Sequence, residues 1–178
     1  MERTGTAESA RRRSRGPGRD AIALLKADHR QVTGWFAQFR KSRSKKRKQA
    51  LAEKICHALK VHTKVEEEIF YPAFLVATRD RDKHHEAEVE HAGAKRLIAE
   101  IEALNPGDDY FDAKVKVLAE MIKHHVREEE KPGGMFSEAR KSSMDLDDVG
   151  ERLKVRKRQL ETNASSALRE NVPGVFVA

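Results

Sequence analysis

Four stretches of the chain space their apolar residues at the interval of an amphipathic helix, and no stretch shows the strict alternation of a strand. The pattern predicts helices over residues 20–40, 46–71, 82–104 and 109–131. Asp20 is the expected N-cap of the first helix, and Pro72 is the expected end of the second. Because the connections after the first and third helices are short, we predict an all-α fold, an up-down-up-down four-helix bundle.

Every apolar stripe is interrupted by histidine or glutamate where a core residue is expected. The six interrupting residues are His29, His62, Glu66, His91, His125 and Glu129. A helix rises ~1.5 Å per residue, and their positions along it put all six near one level of an up-down bundle. Burying these groups without a cation would cost several kcal/mol per ionised group. The sequence therefore predicts a metal centre formed by these six residues.

The ligand types limit which metal this centre can hold. Cys56 is the only cysteine, so the ligands are nitrogen and oxygen atoms. Four imidazoles and two carboxylates exceed the needs of one tetrahedral ion, but they suit two ions bridged by the carboxylates. Iron, manganese and zinc all accept this ligand set. A single histidine on an apolar stripe is usually a core residue, so the prediction depends on the coincidence of all six.

Other polar residues near these stripes have simpler interpretations. His57, His85 and His124 fall off the stripes, and His84 lies ~10.5 Å along the helix from His91, too far to share an ion. His84 either lines an entrance or lies at the surface, and the surface is favoured. Tyr71 either packs in the core, the favoured interpretation, or donates a hydrogen bond to the carboxylates. Solvated helix faces account for the acidic residues beside the stripes: Asp28, Glu67, Glu68, Glu128 and Glu130.

Four segments carry a resemblance to a known family: residues 24–29 (Leu-Leu-Lys-Ala-Asp-His), 62–72 (His-Thr-Lys-Val-Glu-Glu-Glu-Ile-Phe-Tyr-Pro), 90–92 (Glu-His-Ala) and 125–130 (His-Val-Arg-Glu-Glu-Glu). Over about residues 20–140 the chain resembles the hemerythrin family in its bacterial HHE cation-binding form. The resemblance implies a four-helix bundle around a non-haem di-iron centre, and the six residues supply the family's ligand pattern in order. We therefore expect two iron ions with an oxo or hydroxo bridge, and zinc or manganese is the alternative.

One departure from the family pattern bears on function. Oxygen-carrying hemerythrins have a second histidine four residues from the third-helix ligand, whereas this chain has Ala87 and Lys95 around His91. The resemblance then implies additional open positions at one or both irons. Reaction with peroxide, nitric oxide or oxygen, or sensing of iron or oxygen, becomes at least as plausible as reversible oxygen carriage.

The chain is predicted to have three parts. Residues 1–19 form a disordered basic tail, residues 20–140 the hemerythrin-like bundle, and residues 141–178 a partly helical C-terminal extension. A fifth helix is expected over about residues 145–160, followed by an extended or disordered tail.

Charge and hydropathy narrow the expected partners. No apolar run could span a bilayer or act as a secretory signal, so we expect a cytoplasmic protein without membrane contacts. The net charge of +7 is concentrated in residues 11–15 and 40–48. Such runs can bind nucleic acid, but the second lies in a predicted turn without aromatic residues, so a solvated loop is favoured and a nucleic-acid partner is not expected.

Three functions follow from these features. The first is a non-haem di-iron protein that binds or reacts with a small oxidant: oxygen, peroxide or nitric oxide. The second is a sensing or interaction protein whose fold depends on metal occupancy. The third is a nucleic-acid-binding module with a structural metal. The sequence leaves open whether the centre turns over a substrate and whether the chain forms oligomers.

Overall fold

The computed structural model describes residues 20–170, with side chains as far as residue 163. The predicted basic tail, residues 1–19, and residues 171–178 lie outside this range. The described residues contain no strand, and their helices are α1 (Ala21–Lys41), α2 (Lys45–Val65), a π-helical turn (Glu66–Phe70), α3 (Tyr71–Thr78), α4 (Arg81–Glu102), α5 (Phe111–Glu130), α6 (Met135–Lys141) and α7 (Leu146–Glu170). The all-α prediction is confirmed.

The four long helices pack in a square, as the bundle prediction required. Helix α1 contacts α2 and α5, and α4 contacts the same two neighbours. Asp20 caps α1 as predicted, because its carboxylate accepts the backbone N–H of Ala23 at 2.7 Å. The bounds of α1, α4 and α5 agree with the predicted helices to within two residues.

The second helix of the bundle continues past Pro72, where the sequence had predicted its end. The chain passes from α2 through the π turn directly into α3 and stops only at Thr78. In the π turn, the backbone N–H of Tyr71 donates to the carbonyl of Glu66, five residues earlier. Pro72 then falls in the first turn of α3, where a missing N–H removes no intrahelical bond. The helix therefore accommodates the proline.

Two apolar clusters fill the bundle, and the predicted polar layer lies between them. Leu25 belongs to one cluster and Val32 to the other, and His29 comes between them on α1. Each fully buried aliphatic side chain contributes about 1.5–3 kcal/mol. The clusters therefore hold the helix backbones in position on both sides of the polar layer.

The chain after α5 is more helical than predicted. Helix α6, at the end of the predicted bundle range, was not expected, and α7 in the C-terminal extension runs to Glu170, ten residues beyond the predicted end. Helix α7 packs along α1, α2 and the π turn and buries Val149 and Leu153. An established helix gains one hydrogen bond for each residue added, and residues 161–170 contain no proline or glycine to stop it.

Within residues 20–170, no helix is both long enough and apolar enough to span a membrane.

Candidate metal centre

The structure brings the six residues singled out from the sequence into one buried layer. None of them is more than 4% exposed. All four helices of the bundle contribute, and in chain order the residues are His29 from α1, His62 and Glu66 from α2 and its π turn, His91 from α4, and His125 and Glu129 from α5.

The four histidines form two pairs whose Nε2 atoms face each other. The Nε2 atoms of His29 and His62 are 3.1 Å apart, and those of His91 and His125 are 3.3 Å apart. In each pair the ring centroids are 4.8 Å apart. Each of the four histidines therefore directs its Nε2 atom toward the interior of the layer, where this nitrogen could bind a metal.

Glu66 lies between the two histidine pairs. Its Oε2 atom is 3.1 Å from Nε2 of His62 and 3.4 Å from Nε2 of His91. It therefore belongs to two groups whose ligand atoms all lie within 4.8 Å of one another: His29, His62 and Glu66, and Glu66, His91 and His125. A carboxylate shared in this way is suited to bridging two cations.

Glu129 reaches both histidine pairs from the opposite helix. Its Oε2 atom is 3.4 Å from Nε2 of His29 and 3.6 Å from Nε2 of His125. This oxygen and Oε1 of Glu66 are buried without a hydrogen-bond partner. Buried polar atoms are nearly always satisfied, so these two oxygens fit atoms that would coordinate a cation.

On the outside of the layer, each histidine turns its Nδ1 atom toward a carboxylate from a neighbouring helix. We call these residues, Asp28, Glu67, Glu90 and Glu130, the outer carboxylates. In three contacts the Nδ1–H group donates a hydrogen bond to the carboxylate: His29 to Glu130 at 2.8 Å, His91 to Glu67 at 3.0 Å, and His125 to Glu90 at 2.7 Å. The fourth, from Asp28 to His62, spans 3.6 Å, an ion-pair distance too long for a hydrogen bond.

The outer carboxylates close a ring around the bundle. Helix α1 supplies the carboxylate for the histidine of α2, the π turn for that of α4, α4 for that of α5, and α5 for that of α1. The sequence interpretation of Asp28, Glu67 and Glu130 as merely solvated residues was therefore wrong. A signal was present, since each outer carboxylate is adjacent in sequence to one of the six ligand candidates.

The hydrogen bonds to His91 and His125 indicate what lies between these two rings. A carboxylate accepts from Nδ1 only if that nitrogen carries the proton, and a neutral imidazole then has a lone pair on Nε2. Two such lone pairs would face each other at 3.3 Å, which is unfavourable unless a cation or a proton lies between them. Metal-binding histidines commonly show this arrangement, with Nε2 on the metal and Nδ1–H on a carboxylate.

The charges of the layer are balanced by protons when no cation is bound. Burial, together with the charge of Glu66, raises the pKa of Glu129 to about 8. Burial opposes ionisation of Glu66 as well, but the charge of His62 and the contacts with His62 and His91 together lower the pKa of Glu66 well below its usual value. Burial also disfavours the His62 imidazolium, but the charges of Glu66 and Glu129 and the contacts with Glu66 and Asp28 together outweigh it and raise the pKa of His62 to about 10. A divalent cation would displace such protons.

Tyr71 places its phenol inside the layer, so the hydrogen-bonding interpretation that the sequence did not favour is correct. The Tyr71 hydroxyl donates to Oε1 of Glu129 at 3.1 Å and also lies 3.1 Å from Nε2 of His91. Burial and the charges of Glu129 and Glu66 raise the pKa of Tyr71 well above its usual value, so the phenol stays protonated. The residue is also fully buried and serves the core as well.

The π turn explains how Tyr71 reaches the same space as Glu66. In a regular α-helix, a residue five positions further along is rotated by about 140° from the first. The wider π turn reduces this rotation. The Tyr71 hydroxyl therefore comes within 3.4 Å of Oε2 of Glu66.

Neither position expected for a fifth histidine supplies a ligand atom. Ala87 is buried beside the layer, and Lys95 extends outward, where its ammonium contacts Glu67 at 2.6 Å. The departure from the oxygen-carrier pattern is therefore also present in the fold. The Tyr71 ring lies 6.0 Å from that of His84 and 5.3 Å from that of His91, which places it on the Ala87 side of His91.

The remaining histidines lie outside the layer. His57, His85 and His124 are exposed, in keeping with their positions off the stripes. His84 is 14% exposed, and its ring lies edge-on to Tyr71 with centroids 6.0 Å apart, so it is not at the surface that the sequence favoured.

Helix α6 adds a residue that the sequence analysis missed. Phe136 stacks on the ring of His29, with centroids 5.7 Å apart and an interplanar angle of 10°. Phe136 therefore covers the layer at His29.

The outer carboxylates are expected to strengthen metal binding. Glu67→Ala removes the acceptor for Nδ1–H of His91, and loss of such a partner typically weakens metal affinity by about 10- to 100-fold. Competition with a chromophoric chelator would measure the change. Glu68→Ala is the matched control, because Glu68 is adjacent but contacts Arg156 of α7 instead of a histidine of the layer. Equal affinities for the two variants would contradict an orienting role for Glu67.

Comparisons with solved structures and curated proteins give two relatives. The crystal structure of a hemerythrin HHE cation-binding domain-containing protein from Mycobacterium kansasii matches with a TM-score of 0.69 and 22% identity, covering 85% of this chain and 93% of that one. This likeness shows the fold. A protein named DNA nickase from Nostoc sp. strain PCC 7120 is 30% identical over 107 residues, 60% of this chain. The match covers only 30% of that relative's length, so its named activity remains a statement about that protein.

The family comparison covers the whole candidate centre. A family model described as the hemerythrin HHE cation-binding domain matches residues 20–132. This range includes all six ligand candidates, the outer carboxylates and Tyr71, and it is more than half of the chain. The protein therefore belongs to the hemerythrin HHE cation-binding domain family, with a buried His/Glu cation-binding site in the core of its helical bundle.

Proposed function

We propose that this protein is a non-haem di-iron protein that binds or reacts with a small oxidant: oxygen, peroxide or nitric oxide. His29 and His62 would hold one iron, and His91 and His125 the other. Glu66 and Glu129 would bridge them.

The position of Glu66 carries the proposal. One of its oxygens lies 3.1 Å from the first histidine pair and 3.4 Å from the second, so the two pairs share one negative charge. A single ion in either pair would leave the other pair of inward nitrogens unused. Imidazole and carboxylate ligands without thiolate suit iron with open positions for an exogenous ligand.

A cleft between α4 and α5 supports access by a small apolar molecule. It encloses about 600 Å³ and reaches from the surface to His91 and His125. Ala94, Val117 and Ile122 are among its lining residues. Oxygen and nitric oxide are small and apolar, so they can pass between such side chains without losing hydration.

Iron bound in this site would supply redox electrons and open coordination positions to the oxidant. The protein's own residues hold the protons such chemistry needs. The Tyr71 hydroxyl keeps its proton and lies 3.1 Å from Nε2 of His91, on the side where the fifth histidine is missing. Tyr71 therefore supplies a phenolic proton donor beside His91.

Metal content and reactivity test the proposal together. Protein reconstituted with iron in air is expected to contain two iron ions per chain and to show the near-ultraviolet absorption of an oxo- or hydroxo-bridged pair. Reduced, anaerobic protein mixed with oxygen, hydrogen peroxide or nitric oxide should then change that spectrum. Fewer than one iron per chain after reconstitution would rule the proposal out.

A second function is favoured by the contacts of α7, namely a sensing or interaction protein controlled by metal occupancy. Lys157 of α7 is hydrogen-bonded to the outer carboxylate Asp28. Arg156 makes two hydrogen bonds, of 2.6 and 3.2 Å, to Glu68 in the π turn. A change in the metal layer would therefore reach the surface of the C-terminal helix. Increased hydrogen exchange in α7 after metal removal would support this function, and unchanged exchange would oppose it.

A further inference from the structure

A polar cavity opens between the start of α4 and the end of α5, next to the apolar cleft, with which it shares Glu90 and His125. It encloses about 370 Å³, and its lining includes six carboxylates: Asp80, Asp82, Glu86, Glu90, Glu128 and Glu129. Two lysines also line it, and each is paired with one of these carboxylates, Lys83 with Asp80 and Lys131 with Glu128. Among the described residues of the cavity, the other four carboxylates make no ion pair with a lysine. We call this cavity the acidic vestibule.

The inner end of the acidic vestibule is a ligand candidate of the metal layer. Glu129 and His125 both line the cavity. Glu129 is 3% exposed, and its Oε2 atom is buried without a hydrogen-bond partner. A cation that reached this end of the cavity would meet an oxygen with an unused lone pair.

The outer end offers a second set of ligand atoms near the surface. Glu86, Glu90 and His124 place ligand atoms within 4.8 Å of one another, and both glutamates line the vestibule. Glu90 connects this group to the interior, because Oε1 lies 3.2 Å from Nε2 of His124 and Oε2 lies 2.7 Å from Nδ1 of His125. The Glu90 side chain therefore links the exposed ligand atom of His124 to the buried ring of His125.

We propose that the acidic vestibule is the entry route for the divalent cations of the metal layer, with Glu86, Glu90 and His124 as an outer binding station. This inference rests on the proposed two-metal centre. The surface of the cleft between α4 and α5 is mostly apolar, whereas six carboxylates line the vestibule, so a hydrated cation finds more oxygen ligands to replace its water in the vestibule. A pocket lined by carboxylates raises the local cation concentration and the rate of association. The cation and the small oxidant therefore approach the layer through openings of different chemistry, which meet at Glu90 and His125.

Loading kinetics with Co²⁺ test the proposal. The visible absorption of Co²⁺ changes when imidazole replaces water, so mixing metal-free protein with Co²⁺ gives a loading rate. The double variant Asp82→Asn, Glu86→Gln removes two charges of the vestibule, one of them from the outer station, and leaves Glu90 and the six ligand candidates in place. At low ionic strength it is expected to load about tenfold more slowly than wild type. Added salt should reduce this difference. The endpoint is the Co²⁺ retained after gel filtration, which removes ions held only at the outer station, and it should equal that of wild type.

The control is the double variant Glu53→Gln, Asp109→Asn, which removes the same charge from exposed positions outside the vestibule. It should load at the wild-type rate. Equal rates for both double variants would overturn the entry route, and so would a lowered endpoint in the vestibule variant, because its residues would then hold the resident ions. Wild-type protein that binds less than one Co²⁺ per chain would instead contradict the two-metal centre itself, and the entry route with it.

Discussion

Replacing Glu66 by glutamine is expected to reduce the iron bound after reconstitution from two ions per chain to less than one. Glu66 is the one residue shared by the two groups of possible ligands that the structure assembles in the layer. An uncharged amide is a weaker ligand and leaves both histidine pairs without their common negative charge. The loss in affinity should exceed the 10- to 100-fold that removal of an outer carboxylate typically causes. Iron analysis after gel filtration, with titration against a chelator, would measure it.

The stability of the metal-free variant separates lost binding from misfolding. Glu66 and His62 form a buried ion pair at 3.1 Å, and removing one partner of such a pair typically costs about 3–5 kcal/mol. Metal-free Glu66→Gln should therefore unfold at a lower temperature than metal-free wild type, but with a cooperative transition and the same helix content. Glu53→Gln, which changes the same residue type at an exposed position of α2, should retain both ions. Two tightly bound irons in Glu66→Gln would contradict the bridging role.

Removing the metal is expected to lower the unfolding temperature by about 8–16 °C. A ligand present at 1,000 times its dissociation constant stabilises the folded state by about 4 kcal/mol. For a chain of this size, 1 kcal/mol corresponds to about 2–4 °C. The metal layer connects all four bundle helices, so its loss should weaken the whole fold instead of one terminus. Differential scanning calorimetry of loaded and chelated protein would measure the shift.

The same experiment on Glu66→Gln provides the control for chelator effects. Since this variant is expected to hold little iron, chelation should leave its unfolding temperature nearly unchanged. Equal unfolding temperatures for loaded and metal-free wild type would contradict a structural role for the metal. They would also remove the basis of the sensing function, which requires the fold to respond to occupancy.

The periodicity of single helices was enough to locate the layer. His29 and His91 interrupt apolar stripes, and a stripe reports which face of its helix is buried, whatever that helix packs against. The His-to-Glu spacing of four on the second and fourth bundle helices then put imidazole and carboxylate on one face. Rise per residue and antiparallel order brought these positions to one level, so no coordinates were needed to group the six residues.

Partners across a helix interface could not be found in this way. Whether Glu67 faces solvent or Nδ1 of His91 depends on the rotation and height of two helices relative to each other. One residue along a helix changes these by about 100° and 1.5 Å, which is more than a hydrogen bond tolerates. The pattern of each helix therefore predicted that Glu67 and Glu130 face solvent. In the structure both accept hydrogen bonds from histidines of the layer.

The bundle and the six residues that meet in its core could be predicted from the amino-acid sequence, because burial of a helix face and the cost of burying charge are local properties of each stripe. The facing atoms of those residues, the carboxylates that orient them and the π turn that brings the Tyr71 hydroxyl beside His91 are visible only in the folded chain. These features depend on how four backbones pack to within a fraction of a helical turn. That packing is decided by the two apolar clusters acting together, and no single stripe specifies it.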